Sequence, residues 1–160
     1  MKKFFIILVV CFFAIFGFRV DLYAKQANNF ILSDIDDNQV ELLSFRGKMV
    51  VLFFFATWCS VCKKELSELN DFIANNPDPS FKLLCISQDE LRETLEDFWN
   101  SRGYSMQVLF DNKDVSSQYG VQSVPTFFLV DTTGEIVVEE TGSFYDSQLF
   151  KVLSEGGSYK

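Results

Sequence analysis

The sequence of 160 residues has the length of a single domain, and its 48% hydrophobic and 16% aromatic residues can fill one core. The 14 basic and 22 acidic residues give a net charge of −8 without long runs of either sign, so the clustered basic surface of a nucleic-acid-binding protein is missing. The absence of histidine excludes Ser-His and Cys-His catalysis and leaves any metal site dependent on cysteines and carboxylates.

Residues 1–24 have the three parts of a secretory signal peptide. Lys2 and Lys3 form a basic start, residues 4–18 are an apolar run, and the segment ends in Ala24. At about 1.5 Å per residue the apolar run spans about 22 Å, short of the roughly 30 Å hydrocarbon core of a bilayer. We therefore expect cleavage near Ala24, ahead of a domain at residues 25–160, with an uncleaved and tilted membrane anchor as the alternative. Both forms predict a location outside the cytoplasm.

The spacing of apolar residues predicts alternating strands and helices. Residues 49–55 are a continuous apolar run, as expected for a strand buried on both faces, and residues 30–43 form two short alternating pieces around a turn, which predicts a hairpin. Further strands are predicted at 81–87, 106–110, 125–131 and 135–140, and helices from Cys62 up to Pro77 and Pro79 and at 88–102, 113–119 and 146–153. This order predicts an α/β fold with a mixed central sheet, helices on both faces and an N-terminal strand or hairpin extension.

Two cysteines three residues apart, Cys59 and Cys62, stand where the predicted central strand gives way to a helix. At this spacing they can close a small disulfide ring. The unsatisfied N–H groups and the positive dipole end of a helix start favour thiolate over thiol at the first cysteine. Cys59 is therefore predicted to attack a substrate disulfide, and Cys62 to resolve the mixed disulfide that forms.

Two other roles of the cysteine pair are compatible with its spacing. A zinc site would need two more ligands, but the sequence has no histidine and no second pair of this kind. A purely structural disulfide would close so short a loop that it removes little chain entropy. Both explain the pair less well than a redox-active dithiol, so no metal is expected.

The stretch FFFATWCSVCKKE at residues 53–65, with GVQSVPT at residues 120–126, resembles the thioredoxin superfamily. Within it, the likeness is to the extracytoplasmic TlpA/ResA group, several of whose members serve cytochrome c maturation. The resemblance runs from about residue 30 to the C-terminus. It implies a thioredoxin-like fold and a thiol-disulfide oxidoreductase that acts on protein disulfides or dithiols, uses no cofactor and receives electrons from a membrane donor.

The resemblance also implies a substrate site beside the dithiol. Pro125 matches the cis-proline whose loop packs against the two cysteines, and the backbone of Val124 would line a groove that holds an extended substrate chain. Trp58, next to the first cysteine, would belong to the same site. The alternative for Pro125 is an ordinary trans proline at the start of a strand, but an X–Pro bond is the only kind that adopts the cis form at low cost.

Glu65 is the most informative charged residue under this resemblance. General thioredoxins keep a buried aspartate six residues before the first cysteine, and Phe53 occupies that position here. In the TlpA/ResA group a glutamate three residues after the second cysteine lies near the dithiol, and Glu65 matches it. Such a carboxylate would oppose thiolate formation by like charge or transfer a proton. The alternative is that Glu65 only decorates the first turn of a helix, where acidic residues are favoured.

Three rival functions fit the sequence less well. A peroxiredoxin would carry proline and threonine where Phe53 and Ala56 stand. A cytosolic general thioredoxin is disfavoured by the signal-like start and by the missing aspartate. A non-catalytic thioredoxin-like binding module would be supported by the loss of a motif cysteine, yet both cysteines are present.

The direction of electron flow is not determined by the motif alone, because Ser60 and Val61 between the cysteines tune the reduction potential in either direction. We favour a reductant over a disulfide-forming oxidant because Glu65 should oppose a very low pKa at Cys59. A third thiol, Cys85, lies inside a predicted strand and is expected to be a core residue.

Overall fold

The computed structural model describes residues 25–76, 81–89, 91–111 and 113–154. The strands are β1 Lys25–Gln26, β2 Ile31–Asp34, β3 Gln39–Glu41, β4 Met49–Phe55, β5 Phe81–Ser87, β6 Gln107–Phe110, β7 Thr126–Val130 and β8 Glu135–Thr141. The α-helices are α1 Ser60–Asn75, α2 Arg92–Arg102, α3 Asp114–Gln118 and α4 Gln148–Ser154, and a 3₁₀ helix spans Leu42–Phe45.

These strands form one eight-stranded sheet in the order β1-β8-β7-β4-β5-β6-β2-β3. β4, β5 and β6 are parallel to one another, and every other pairing is antiparallel. Because parallel neighbours need a crossover, α1 connects β4 to β5 and α2 connects β5 to β6. The predicted mixed sheet with helices is confirmed, and the lead-in hairpin is the pair β2 and β3.

β4 is the centre of the fold. All seven of its residues are buried, and it pairs with β5 on one side and β7 on the other. Side chains alternate across a strand, so Phe53 and Phe55 pack in one core with the buried faces of α1, α2 and α4. Leu52 and Phe54 pack in a second core with α3 and the lead-in segment. The helix carrying the cysteine motif therefore lies on one defined face of the sheet.

Besides the 3₁₀ helix Leu42–Phe45, which includes the last two residues of the predicted hairpin, two parts of the structure differ from the prediction. The helix expected at 88–102 begins only at Arg92, because the N–H of Gln88 bonds to the carbonyl of Phe55 at 2.8 Å and the N–H of Asp89 bonds to Ser87 Oγ at 3.1 Å. These bonds keep both residues out of the helix. The second difference is β1, which was not predicted and pairs antiparallel with β8.

Residues 1–24, the predicted signal or anchor, lie outside the described residues, as do Pro77 and Pro79. Over residues 25–154, apart from the gaps named above, no helix has both the length and the apolar character that a membrane crossing requires.

Candidate active site

The cysteine motif begins in a tight turn that follows β4. The N–H of Cys59 donates to the carbonyl of Ala56 at 3.1 Å, so Thr57 and Trp58 are the two central residues of the turn. Cys59 has extended backbone angles, φ −80° and ψ 112°, and is the N-cap of α1. The turn and the helix start thus place the first cysteine where the predicted helix dipole effect operates.

Cys59 and Cys62 are joined by a disulfide, with their Cα atoms 5.2 Å apart. The Sγ of Cys59 also accepts a hydrogen bond from the backbone N–H of Cys62 at 3.1 Å. Cys59 is 8% exposed and Cys62 is fully buried. After reduction, a thiolate on Cys59 would keep the Cys62 N–H as a donor, which favours the charged form at this cysteine.

A second loop approaches the disulfide from β7. The peptide bond between Val124 and Pro125 is cis, as predicted. The carbonyl oxygen of Val124 lies 3.7 Å from Cys59 Sγ, so this loop packs directly against the first cysteine of the motif. Thr126 Oγ1 donates to the carbonyl of Ser123 at 2.7 Å, which braces the loop from within.

Apolar side chains surround the exposed side of the motif. Trp58 is 72% exposed, and Val61 and Leu91 are also exposed. A cleft of about 490 Å³ lies beside the turn and is lined by Thr57, Trp58, Asp89, Leu91 and Thr94. Trp58 therefore stands at the surface next to Cys59.

Glu65 is buried, with 1% of its surface exposed. Its carboxylate accepts a hydrogen bond from the backbone N–H of Phe144 at 2.8 Å. Burial raises the pKa of Glu65 above its ordinary value, and the Phe144 N–H opposes that rise in part. The alternative in which Glu65 only decorates the first helical turn is wrong, because its side chain points into the protein from the second turn of α1.

Cys62 and Glu65 share the buried face of α1. They are three residues apart, and residues at this spacing on an α-helix are neighbours with Cβ atoms about 5–6 Å apart. The structure thus brings the second cysteine and the carboxylate to the same side of one helix. No other acidic residue of α1 is buried in this way.

Asp89 is a residue of the site that the sequence did not reveal. Its carboxylate is 2% exposed and accepts hydrogen bonds from the N–H and the hydroxyl of Thr57, within the turn that precedes Cys59. An acidic residue near the start of a helix is common, so Asp89 was interpreted as part of the predicted helix at 88–102 and not as a residue of the site. One sequence signal could have indicated this contact: Thr57 and Asp89 each lie two residues beyond the end of a strand, and the two strands are parallel neighbours.

Cys85 is a fully buried free thiol on β5, and burial raises its pKa far above the ordinary value. The expectation of a core cysteine is confirmed. Within the part of the chain that the structure describes, no three cysteine, aspartate or glutamate side chains gather as a metal site would require.

Comparison with known proteins assigns the chain to a family. The model of the AhpC/TSA family matches residues 23–139, which is more than half of the sequence. The chain belongs to the AhpC/TSA family. Within this family it is similar to the thiol-disulfide oxidoreductase ResA of Bacillus anthracis, with 31% identity over 126 residues that make up 78% of this chain and 73% of the relative.

Solved structures similar to this AhpC/TSA family chain have the same fold. A crystal structure of a putative thiol:disulfide interchange protein DsbE from Chlorobium tepidum has a TM-score of 0.75 at 24% identity, covering 84% of this chain and 96% of the other. The pneumococcal exposed lipoprotein thioredoxin of Streptococcus pneumoniae has a TM-score of 0.69 at 26% identity, covering 80% and 99% of the two chains. The thioredoxin-like fold is therefore confirmed.

This member of the AhpC/TSA family is a thiol-disulfide oxidoreductase of the ResA type with a Cys59–Cys62 pair. The similar curated proteins are named thiol-disulfide oxidoreductases, and the pair stands at a helix start, which favours the thiolate that such chemistry uses. The redox-active pair is therefore preferred over a zinc site and over a purely structural disulfide.

Proposed function

We propose that the protein is an extracytoplasmic reductant of protein disulfides, of the type that serves cytochrome c maturation. The observation that carries the proposal is the position of Cys59 Sγ, which lies 3.1 Å from the N–H of Cys62 and 3.7 Å from the carbonyl of Val124. One neighbour stabilises the thiolate, and the other belongs to the loop beside which a substrate chain would lie.

The reaction we propose has two exchange steps. The Cys59 thiolate attacks one sulfur of a substrate disulfide, forms a mixed disulfide and releases the other substrate sulfur as a thiolate. Cys62 then loses its proton and attacks Cys59 Sγ, which closes the Cys59–Cys62 disulfide and releases the second substrate thiolate. The substrate gains two electrons and, after protonation, two thiols. A membrane electron donor would return the pair to the dithiol form.

Glu65 is proposed to take part in the second step. Cys62 is fully buried, so its proton needs an acceptor inside the protein before its sulfur can attack. Glu65 shares the buried face of α1 with Cys62, and its raised pKa brings it closer to the range in which a carboxylate exchanges protons at neutral pH. Its negative charge would also oppose a very low pKa at Cys59, which supports the reductant over the oxidant.

Substrate binding is proposed at Trp58, Val124 and Pro125. The exposed indole of Trp58 offers apolar contact area beside Cys59, and the Val124–Pro125 backbone faces the same sulfur. An extended substrate chain lying along this loop would present its disulfide to Cys59 without any movement of the sheet.

Residues 1–24 are proposed to export the domain formed by residues 25–160, either as a cleaved signal or as an anchor. Their basic start and apolar run support this. The similar Streptococcus pneumoniae protein is named an exposed lipoprotein thioredoxin, which agrees with a location outside the cytoplasm.

The reduction potential of the Cys59–Cys62 pair tests the direction of electron flow. Equilibration of the purified protein with glutathione buffers, followed by thiol trapping, should give a potential more negative than that of the glutathione couple. A potential well above it would instead assign the protein to the disulfide-forming oxidants. The Cys62→Ser variant should accumulate a mixed disulfide with a model substrate. Its accumulation would confirm that the measured potential belongs to the Cys59–Cys62 pair.

A further inference from the structure

Asp89 lies at the edge of the sheet where the motif begins. Phe55 and Ser87 are paired residues at the ends of the parallel strands β4 and β5. Thr57 follows Phe55 by two residues, and Asp89 follows Ser87 by two residues, so the two strands deliver them to the same place. The carboxylate of Asp89 is thus aimed at the turn that leads into Cys59.

The carboxylate is saturated by donors from these two strand ends. Both of its oxygens accept from the N–H of Thr57, at 3.1 and 3.0 Å, and Oδ1 accepts from the Thr57 hydroxyl at 2.6 Å. Oδ2 accepts from the hydroxyl of Ser87 at 2.5 Å. Hydrogen bonds to a carboxylate are among the stronger ones in proteins, and here they are shielded from water because Asp89 is 2% exposed.

These bonds hold one specific residue of the turn. Thr57 is the first central residue of the turn closed by the Cys59 N–H and the Ala56 carbonyl, and Trp58 is the second. Neither central residue has another hydrogen bond among those of the described chain that fixes it to the sheet. Among the described residues, Asp89 thus provides the side-chain hydrogen bonds that connect the turn before Cys59 to the end of β5.

We propose that Asp89 is a positioning residue for the attacking thiol. By fixing Thr57, it keeps Cys59 Sγ within reach of both the Cys62 N–H and the Val124 carbonyl. Without it the turn would sample orientations in which the Cys62 N–H no longer points at the sulfur, which raises the pKa of Cys59 and misplaces the nucleophile. This inference rests on the proposed role of Cys59 as the attacking thiol.

Asp111 provides a matched control. It is also a fully buried aspartate at the same edge of the sheet, after β6, and its carboxylate accepts from the N–H groups of Val115 and Ser116 at 3.0 and 2.8 Å. Those bonds serve the start of α3 and none of them reaches the turn before Cys59. Removing either carboxylate should cost stability, because buried N–H donors are left unpaired.

The experiment measures the rate constant of the reduced protein with a small disulfide across a range of pH, for folded protein only. Asp89→Ala should lower the rate constant about tenfold, as expected for loss of roughly one strong hydrogen bond. Because this substitution also removes a negative charge near Cys59, the pH midpoint is read from Thr57→Val, which keeps the Asp89 carboxylate and should move the midpoint upwards. Thr57→Val removes only the hydroxyl donor and should lower the rate constant by a smaller factor, which Thr57→Ser should restore. Asp111→Ala should lose stability and keep the wild-type pH profile.

The inference is overturned if Asp89→Ala and Thr57→Val, both folded, keep the wild-type rate constant and pH midpoint, or if Asp111→Ala changes them as much. Should Asp89→Ala fail to fold, Thr57→Val and Thr57→Ser decide the question. A separate outcome concerns the proposed function itself: if Cys59→Ser leaves the reactivity of the wild-type protein intact, Cys59 is not the attacking thiol, whatever the Asp89 variants do.

Discussion

The buried carboxylate of Glu65 accepts a hydrogen bond from the backbone N–H of Phe144 and so connects α1 to the segment that follows β8. Two residues before Phe144, the N–H of Gly142 donates to the carbonyl of Pro125 at 3.1 Å. The segment from Gly142 to Phe144 therefore contacts both the carboxylate of Glu65 and the cis-proline loop. Changes at Glu65 can be expected to reach the dithiol through charge as well as through this connection.

We expect Glu65→Gln to lower the pKa of Cys59 and to make the dithiol more oxidising. The glutamine keeps an oxygen that can accept from Phe144, so the substitution removes mainly the negative charge. A shift of one pKa unit corresponds to about 1.4 kcal/mol between protonation states, which thiolate absorbance resolves readily. The exposed Asp97→Asn, a matched loss of charge on α2, should leave the curve unchanged. Superimposable curves and equal potentials for wild type and Glu65→Gln would remove Glu65 from the mechanism.

Glu65 should also make stability depend on pH. Its folded-state pKa is raised above the ordinary 4.5, so folding favours its protonated form. The free energy of unfolding should therefore fall as the pH rises from about 4.5 through the folded-state pKa. Urea denaturation at a series of pH values measures this, and Glu65→Gln should lose that part of the fall. A wild-type and variant pair with parallel pH profiles would contradict the raised pKa.

Reduced protein treated with limiting iodoacetamide should be alkylated first at Cys59. Cys59 is partly accessible and has a hydrogen-bond donor for its thiolate, whereas Cys62 and Cys85 are fully buried and burial raises the pKa of Cys85. Peptide mass spectrometry after short labelling times gives the order. Cys85→Ala should leave the fast phase as it is. Labelling of Cys62 ahead of Cys59 would reverse the proposed roles.

Phe144→Ala should destabilise the protein by about 3–5 kcal/mol, the range found for buried phenylalanines. The ring of Phe144 is fully buried and contacts Phe72 of α1, Phe127 of β7 and Phe150 of α4. Denaturant unfolding gives the free energy. Leu43→Ala, at an exposed position, should cost less than about 1 kcal/mol. Equal losses for the two variants would mean that Phe144 is not a centre of the core.

A fusion of residues 1–40 to a reporter that is active only outside the cytoplasm should be active. The expectation follows from Lys2, Lys3 and the apolar run at residues 4–18. A fusion of residues 25–40 alone is the control and should be inactive. Intact mass of the full chain after expression shows whether it starts near Lys25. No activity from the longer fusion in a working host would refute export.

The sheet could be predicted from the sequence because each of its central strands is a recognisable apolar run of consecutive residues. β4 and β5 are continuous apolar runs, and the structure places both at the predicted bounds. The cysteine pair and the core position of Cys85 likewise follow from a short motif and a strand pattern, whereas the cis bond before Pro125 was expected from the family resemblance. β1 has only two residues, too few to show any periodicity.

The supporting contacts of the site could not be predicted in the same way, because their partners are distant in the chain. Phe144 is 79 residues from Glu65, and Asp89 is 32 residues from Thr57. Neither carboxylate differs by type from the many acidic residues at the surface. The sheet brings Asp89, after β5, to the turn after β4, and the packing of α1 brings Glu65 to the segment after β8. The burial of these two acids therefore becomes apparent only in the tertiary structure.

The alternating residues of β4 have a consequence for how this protein can be altered. Phe53 and Phe55 face the helix with the cysteines, while Leu52 and Phe54 face α3 and the lead-in hairpin. β4 thus separates two hydrophobic cores, and only the core of Phe53 and Phe55 includes the dithiol. Val124 packs against both cores and lies beside Cys59. Substitutions in the core of Leu52 and Phe54 that do not contact Val124 should therefore have energetic effects that add to those of dithiol variants with little coupling. An engineer could strengthen that side of the protein while leaving its reduction potential in place.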